Sequence, residues 1–199
     1  CQGFSEPQAG SDLSALSLRA ERDGDDFILT GSKLWTSFAN YATHMFLLAR
    51  CDPASTAGGG LVFLLVEMDQ PGIEVRPIRF IDGACETNEV FFNDVRTPAA
   101  DRIGDVGEGW KAAKRLMEIA RSNNTTTGLL RRAVRAAQQG AAEAGDVDDE
   151  MHARLAGLVL RLDAFEALEA HVAAGGIAIG AAPATSALKL MATELHQAI

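Results

Sequence analysis

At Pro98 the hydrophobic pattern of the chain changes period, and no other feature of the sequence constrains the fold as strongly. Before it, apolar residues come in short runs separated by Asp, Gly and Pro. Beyond it, and fully from Gly109, the chain is rich in Ala, Leu, Arg and Glu, with apolar positions recurring at helical spacing. Short apolar runs bounded by turn residues are strands. The runs are 16–22, 27–35, 44–50, 61–68, 73–81 and 88–95. The first two flank Asp23-Gly24-Asp25, where glycine supplies the positive φ that a tight hairpin needs. Successive strands without intervening helices predict a β-barrel or sandwich.

The second half predicts a bundle of long helices joined by short loops. One helix runs from Trp110 to about Arg121 and continues, bent around Asn123-Asn124, through Leu129 to Ala142. A second spans 150–174 behind the acidic loop 145–149, where acids favour a helix N-terminus, and a third starts near Pro183 and runs toward Ile199. The pattern stops at Gln197-Ala198-Ile199 without a Gly or Pro stop, so an incomplete bundle is expected. The opening Cys1-Gln2-Gly3 carries no initiator Met and no secretory profile, which reads as the interior of a longer, cytoplasmic protein.

Composition excludes several classes of function. Lys plus Arg number 18 against 27 Asp plus Glu, and a net charge of -9 argues against a nucleic-acid surface. Cys1, Cys51 and Cys85 are far apart, and His44, His152, His171 and His196 are isolated, so no metal site is expected and the thiols read as reduced. The longest apolar runs, such as 61–66, fall far short of the roughly 20 residues that span a bilayer, so no membrane span is expected.

The segment Gly3-Phe4-Ser5-Glu6-Pro7-Gln8-Ala9-Gly10-Ser11-Asp12 is the most informative. Pro7 and Gly10 favour an irregular loop, and Ser5, Ser11 and the N–H groups between them can donate to an anionic or carbonyl-bearing ligand. An ordinary polar turn has the same composition. The order Ser-Glu-Pro-x-Ala-Gly-Ser-Asp, however, closely resembles the flavin-binding signature of acyl-CoA dehydrogenases. Downstream, Thr30-Gly-Ser-Lys-Leu-Trp-Thr-Ser-Phe-Ala39 resembles the family's strand whose Trp packs on the flavin and whose next-but-one hydroxyl reaches the reactive edge, here Trp35 and Ser37. Residues 81–98 resemble the strand that closes the barrel, while 107–121 and 187–196 resemble bundle helices. These matches are collinear and cover nearly the whole chain.

The resemblance implies an α+β fold: an antiparallel β-barrel domain over 1–103, followed by a partial α-helical bundle over 104–199. It implies FAD as cofactor, with Gln2, Phe4, Ser5, Gly10 and Ser11 on one wall and Trp35, Thr36 and Ser37 over the flavin's reactive side. Ser11 and Arg121 would also face an acyl-CoA substrate. The implied reaction is α,β-dehydrogenation of a thioester, with an electron-transfer flavoprotein as acceptor and a homo- or hetero-oligomer built through the bundle. One family branch carries its catalytic base immediately before the Arg that aligns with Arg121, but here that residue is Ala120. Alanine abstracts no proton, so the base is expected outside this chain and the 199 residues alone are expected to be inactive; because the family's cofactor site, as the resemblance implies, also uses a neighbouring subunit and residues outside this span, they are expected to bind FAD weakly or not at all. Ala120 also leaves the alternative of a non-catalytic partner subunit of a heteromeric dehydrogenase, and the shared scaffold leaves that of a flavin-dependent monooxygenase or oxidase.

Overall fold

The computed structural model describes residues 1–55, 59–120, 126–145, 147–175 and 182–199. The chain divides into two compact units, Cys1–Lys114 and Arg115–Ile199.

The first unit is a curled, mixed sheet of seven strands: β1 (Gln2–Gly3), β2 (Arg19–Asp23), β3 (Asp26–Ser37), β4 (His44–Arg50), β5 (Leu61–Glu67), β6 (Ile73–Ile78) and β7 (Thr87–Pro98). The hairpin expected at Asp23-Gly24-Asp25 is present, with Asp23 opposite Asp26 and Gly24 at φ 61°. From β5 the ladder runs through β4, β2, β3 and β7 to β6, with β1 pairing on β4 beside β2. Most pairings are antiparallel, as the sequence suggests. Two are parallel, because β1 and the start of β2 both lie along β4. Among the described residues no ladder joins β5 to β6. The strip after β7 instead runs along β5, where Ile103 N–H donates to Phe63 O at 2.7 Å and bridges join Leu64 to Arg102 and Leu61 to Glu108. That strip shields backbone groups which would otherwise offer an open sheet edge.

Alternation along the strands explains the core. Phe27 and Leu29 on β3, Met45, Leu47 and Ala49 on β4, Val62, Leu64 and Val66 on β5, and Val90, Phe92 and Val95 on β7 bury their side chains in one cluster. Strands β4 and β5 also bury residues on their other face, among them Leu48, Leu61 and Phe63. There Phe4, Phe46 and Phe63 pack edge-on or tilted with centroids 5.9 to 6.0 Å apart. Helix α1 (Gly109–Ala120) begins directly on β5: a Cβ at Gly109 would stand 2.7 Å from the carbonyl carbon of Val62, so only glycine fits this approach.

The second unit holds α2 (Thr127–Ala144), α3 (Asp149–Ala173) and α4 (Ala182–Ala198). Leu130 and Val134 of α2 meet Leu162, Phe165 and Val172 of α3 and Leu188, Ala192 and Leu195 of α4 in its core. Asp148 caps α3 by accepting from Met151 N–H at 2.8 Å. The continuous helix expected across Asn123-Asn124 falls on residues outside those described. No helix among the described residues is long and apolar enough to cross a membrane.

Candidate functional site

The signature loop leaves β1 and returns at Leu18, and its neck is closed by one buried carboxylate. Glu6 accepts hydrogen bonds from Ser17 N–H (2.6 Å), Ser17 Oγ (3.0 Å), Leu18 N–H (3.0 Å), Gln8 Nε2 (2.8 Å) and Lys33 Nζ (2.8 Å). Its main chain also exchanges N–H···O bonds with Ala9, folding 6–9 into a tight turn. Lys33 on β3 has two acceptors, Glu6 Oε1 and the carbonyl of Phe4 at 3.2 Å. Both side chains are buried, at 0% and 1% exposure for Lys33 and Glu6. Burial penalises the Lys33 charge, and although the Glu6 charge works against this, the ammonium is lowered to about 8. Burial pushes Glu6 upward, but the Lys33 ammonium and the Ser17 and Leu18 N–H groups outweigh it and hold the carboxyl below its ordinary value. The difference follows from the donor count: the carboxylate is richly solvated by protein and the ammonium is not.

The Trp35 strand meets this loop. Leu34 N–H donates to Ser5 O at 2.8 Å, so Ser5 and Trp35 stand on adjoining backbone rather than on opposite sides of the sheet. The register of β3 against β7 slips between Lys33 and Thr36, where one extra β3 residue is accommodated, and Trp35 there adopts φ 60°. In an unbroken strand Trp35 would share the inward parity of Phe27, Leu29 and Lys33. The bulge turns it outward to 56% exposure and turns Thr36 inward. A bulky residue in the left-handed region is strained by about 1–3 kcal/mol, and such strain collects at ligand-holding sites. Phe38 repeats the feature at φ 56° and 53% exposure, beside exposed Tyr41.

Behind Trp35 lies a polar cluster of which sequence reasoning picked out only Thr36, whose side chain the bulge buries instead of presenting it beside Trp35. Asn88 Nδ2 donates to Thr36 O at 3.0 Å and to Asn40 Oδ1 at 3.3 Å, tying the bulge to the short turn Ala39–Tyr41. Thr36 Oγ1, Thr87 Oγ1 and Asn88 Oδ1 are buried without a partner.

The other expected residues fall on both sides of the prediction. Gln2, Gly10, Ser11 and Ser37 are exposed and Ser5 is half-buried, all with main chain or hydroxyls able to meet a ligand. Nothing lies within 4 Å of a Cβ placed on Gly10, so the loop tip is open. Phe4 is different: its ring packs on Phe46 and Phe63, leaving only its main chain for a cofactor. Arg121 lies outside the described residues. Arg50, also missed, reaches the carbonyls of Ser14, Leu16, Ser55 and Gly59 at 2.7 to 3.2 Å and anchors the return of the loop. Among the described residues no cluster of three His, Cys, Asp or Glu is arranged to hold a metal. A cleft of about 690 Å³ in the second unit, lined by Met151, Arg154, Leu158 and Arg161 among others, contains none of the signature residues.

The signature loop and the bulge thus adjoin through their main chains, with Trp35 and the loop tip at Gly10 both exposed. The model of the acyl-CoA dehydrogenase middle domain matches residues 1–95. The acyl-CoA dehydrogenase IpdE1 of Mycobacterium tuberculosis is 46% identical over 125 residues, covering 63% of this chain and 32% of that protein. Among solved structures, the ChsE4-ChsE5 complex from Mycobacterium tuberculosis aligns at TM-score 0.82 and 28% identity, covering 98% of this chain and 52% of that one. The Tcur3481-Tcur3483 steroid ACAD aligns at TM-score 0.81 and 29% identity, covering 99% and 52%. The chain belongs to the acyl-CoA dehydrogenase family, with the α+β fold of its middle domain and part of its helical bundle. It spans about a third of the length of the curated relative it matches.

Proposed function

We propose that this chain forms part of an FAD-dependent dehydrogenase that introduces an α,β double bond into an acyl-CoA thioester. The observation that carries the reading is the junction of the signature loop with the Trp35 bulge, through the 2.8 Å bond from Leu34 N–H to Ser5 O. When bound, FAD supplies a two-electron acceptor for the substrate's β-hydrogen. Ser5 and the neighbouring N–H groups would hold the pyrimidine edge, where preorganised donors favour the negative charge that reduction brings. Trp35, exposed on the bulge, would pack against the flavin ring and shield it from water, with Ser37 toward its reactive edge. Gly10 and Ser11, at the open tip, approach the pyrophosphate or the substrate's CoA portion, and Arg121 serves the same anionic portion. Residue 120 is Ala, so the α-proton goes to a base elsewhere in the complete protein.

A second reading, a non-catalytic subunit paired with a catalytic one, is favoured by Ala120 and by similarity to a complex of two different chains. Exposed Leu160 and Leu190 supply apolar surface for such a bundle contact. The test is anaerobic mixing of the complete, flavin-loaded protein with acyl-CoA thioesters, steroid-derived ones included because one similar structure is of a steroid ACAD. Bleaching of the flavin's visible absorbance, followed by reoxidation through an electron-transfer flavoprotein without oxygen uptake, supports the proposal. No bleaching unless a second subunit is added favours the partner reading, and oxygen consumption during turnover rejects the dehydrogenase in favour of an oxidase or monooxygenase.

A further inference from the structure

We propose that Glu6 and Lys33 are a positioning pair, which fixes the ligand-facing loop 7–16 relative to Trp35. The pair closes two circuits at one point. The Glu6 carboxylate joins residues 6 and 17–18 at the neck of the loop, and the Lys33 ammonium joins that neck to β3 two residues before Trp35. Lys33 also holds the Phe4 carbonyl, next to Ser5, whose own carbonyl takes the Leu34 N–H. Both walls of the candidate site therefore take their spacing from a single ion pair of 2.8 Å.

A purely structural role accounts poorly for such a pair. Desolvating two charges offsets most of their attraction, and a well-packed apolar pair of similar volume is commonly as stable or more so. What two charges supply and an apolar contact does not is direction, since five donors must converge on one carboxylate for it to be satisfied. Supporting groups of this kind decide whether ligand-contacting atoms sit in their working places.

The pair itself is read from this chain's contacts; its consequence for FAD rests on the flavin reading above. The test uses the complete protein with the double substitution Glu6→Gln and Lys33→Met, which removes both charges at nearly constant volume. Two quantities are read: hydrogen exchange at the amides of Ser17, Leu18 and Leu34, and FAD affinity of the apoprotein by flavin fluorescence. The expected result is a fold that still unfolds cooperatively, somewhat less stable than the wild type because the amide cannot accept from every donor that meets the carboxylate, with those amides exchanging faster and FAD binding about tenfold weaker. Unchanged exchange overturns the clamp, and faster exchange with unchanged FAD affinity overturns its positioning role. Should the double variant not fold, Lys33→Met alone decides by the same readings, because Glu6 there keeps its Ser17, Leu18 and Gln8 donors. A wild-type protein that binds no FAD sinks the flavin reading instead, and the amide exchange then settles the clamp without it.

Discussion

Replacing Glu6 by Gln leaves the Lys33 ammonium buried with no opposing charge, and the cost can be bounded from both sides. Removing one partner of a buried ion pair typically destabilises by about 3–5 kcal/mol. The upper bound comes from Lys33 itself, which can shed its proton instead. From an ordinary value of 10.5, neutralising it at pH 7 costs about 5 kcal/mol, at about 1.4 kcal/mol per pH unit. Spread over the unit Cys1–Lys114, whose unfolding entropy is about 2.1 cal/mol/K per residue, this lowers its melting point by about 12–20 °C. Trp35 and Trp110 both belong to that unit, so tryptophan fluorescence during urea or thermal unfolding follows it. The deficit also depends on pH in a definite direction. Burial lowers Lys33 in the folded chain to about 8, so between about 8 and 10.5 the unfolded chain holds this proton more tightly and the contribution of Lys33 to wild-type stability rises with pH. Without Glu6 the folded variant loses this proton at a lower pH than the wild type, so the Glu6→Gln deficit shrinks as pH rises toward about 8 and is constant above it, where both folded chains carry a neutral amine. A deficit under about 1 kcal/mol at pH 7, or one that does not fall as pH rises from about 6 to 8, refutes the electrostatic account of the pair.

Gly109→Ala should destabilise the first unit by about 1–3 kcal/mol, read by the same fluorescence, because the added methyl meets the main chain of Leu61, Val62 and Phe63, which has no rotamer with which to yield. Leu195→Ala should cost the helical unit about 2–5 kcal/mol by opening a cavity among Phe165, Leu188 and Ala192, seen as earlier loss of helical circular dichroism with the Trp35 signal unmoved.

Much of the fold is legible in the sequence because most of it obeys local rules. The runs at 44–50 and 61–66 are short, almost wholly apolar stretches of strand length, and the structure returns His44–Arg50 and Leu61–Glu67 as β4 and β5, buried on both faces. Gly24 marks its hairpin for the same reason, since one residue type fits the turn. The bulge at Trp35 is invisible to such rules. Periodicity directs Trp35 inward, and only pairing with β7, some 50 residues later in sequence, slips the register and turns it out. Resemblance, not periodicity, singles out Trp35. Lys33 carried a signal that went unread: an ammonium at an inward position of a strand demands a buried acceptor, and Glu6 lies in the one loop already marked as special. Asn88 and Arg50 gave no such warning, because their partners are main-chain carbonyls and an amide oxygen brought close by tertiary folding.

The central claim, that the signature loop and the Trp35 bulge form one wall of a flavin site, is tested most directly by titrating the complete apoprotein with FAD. Wild type, Trp35→Ala and, as a control for losing a tryptophan outside the site, Trp110→Phe are compared. Stacking of an aromatic side chain on a planar ring contributes on the order of 1–3 kcal/mol, so Trp35→Ala should bind FAD about tenfold or more weakly while Trp110→Phe binds as the wild type does. Equal affinity for all three would contradict the claim.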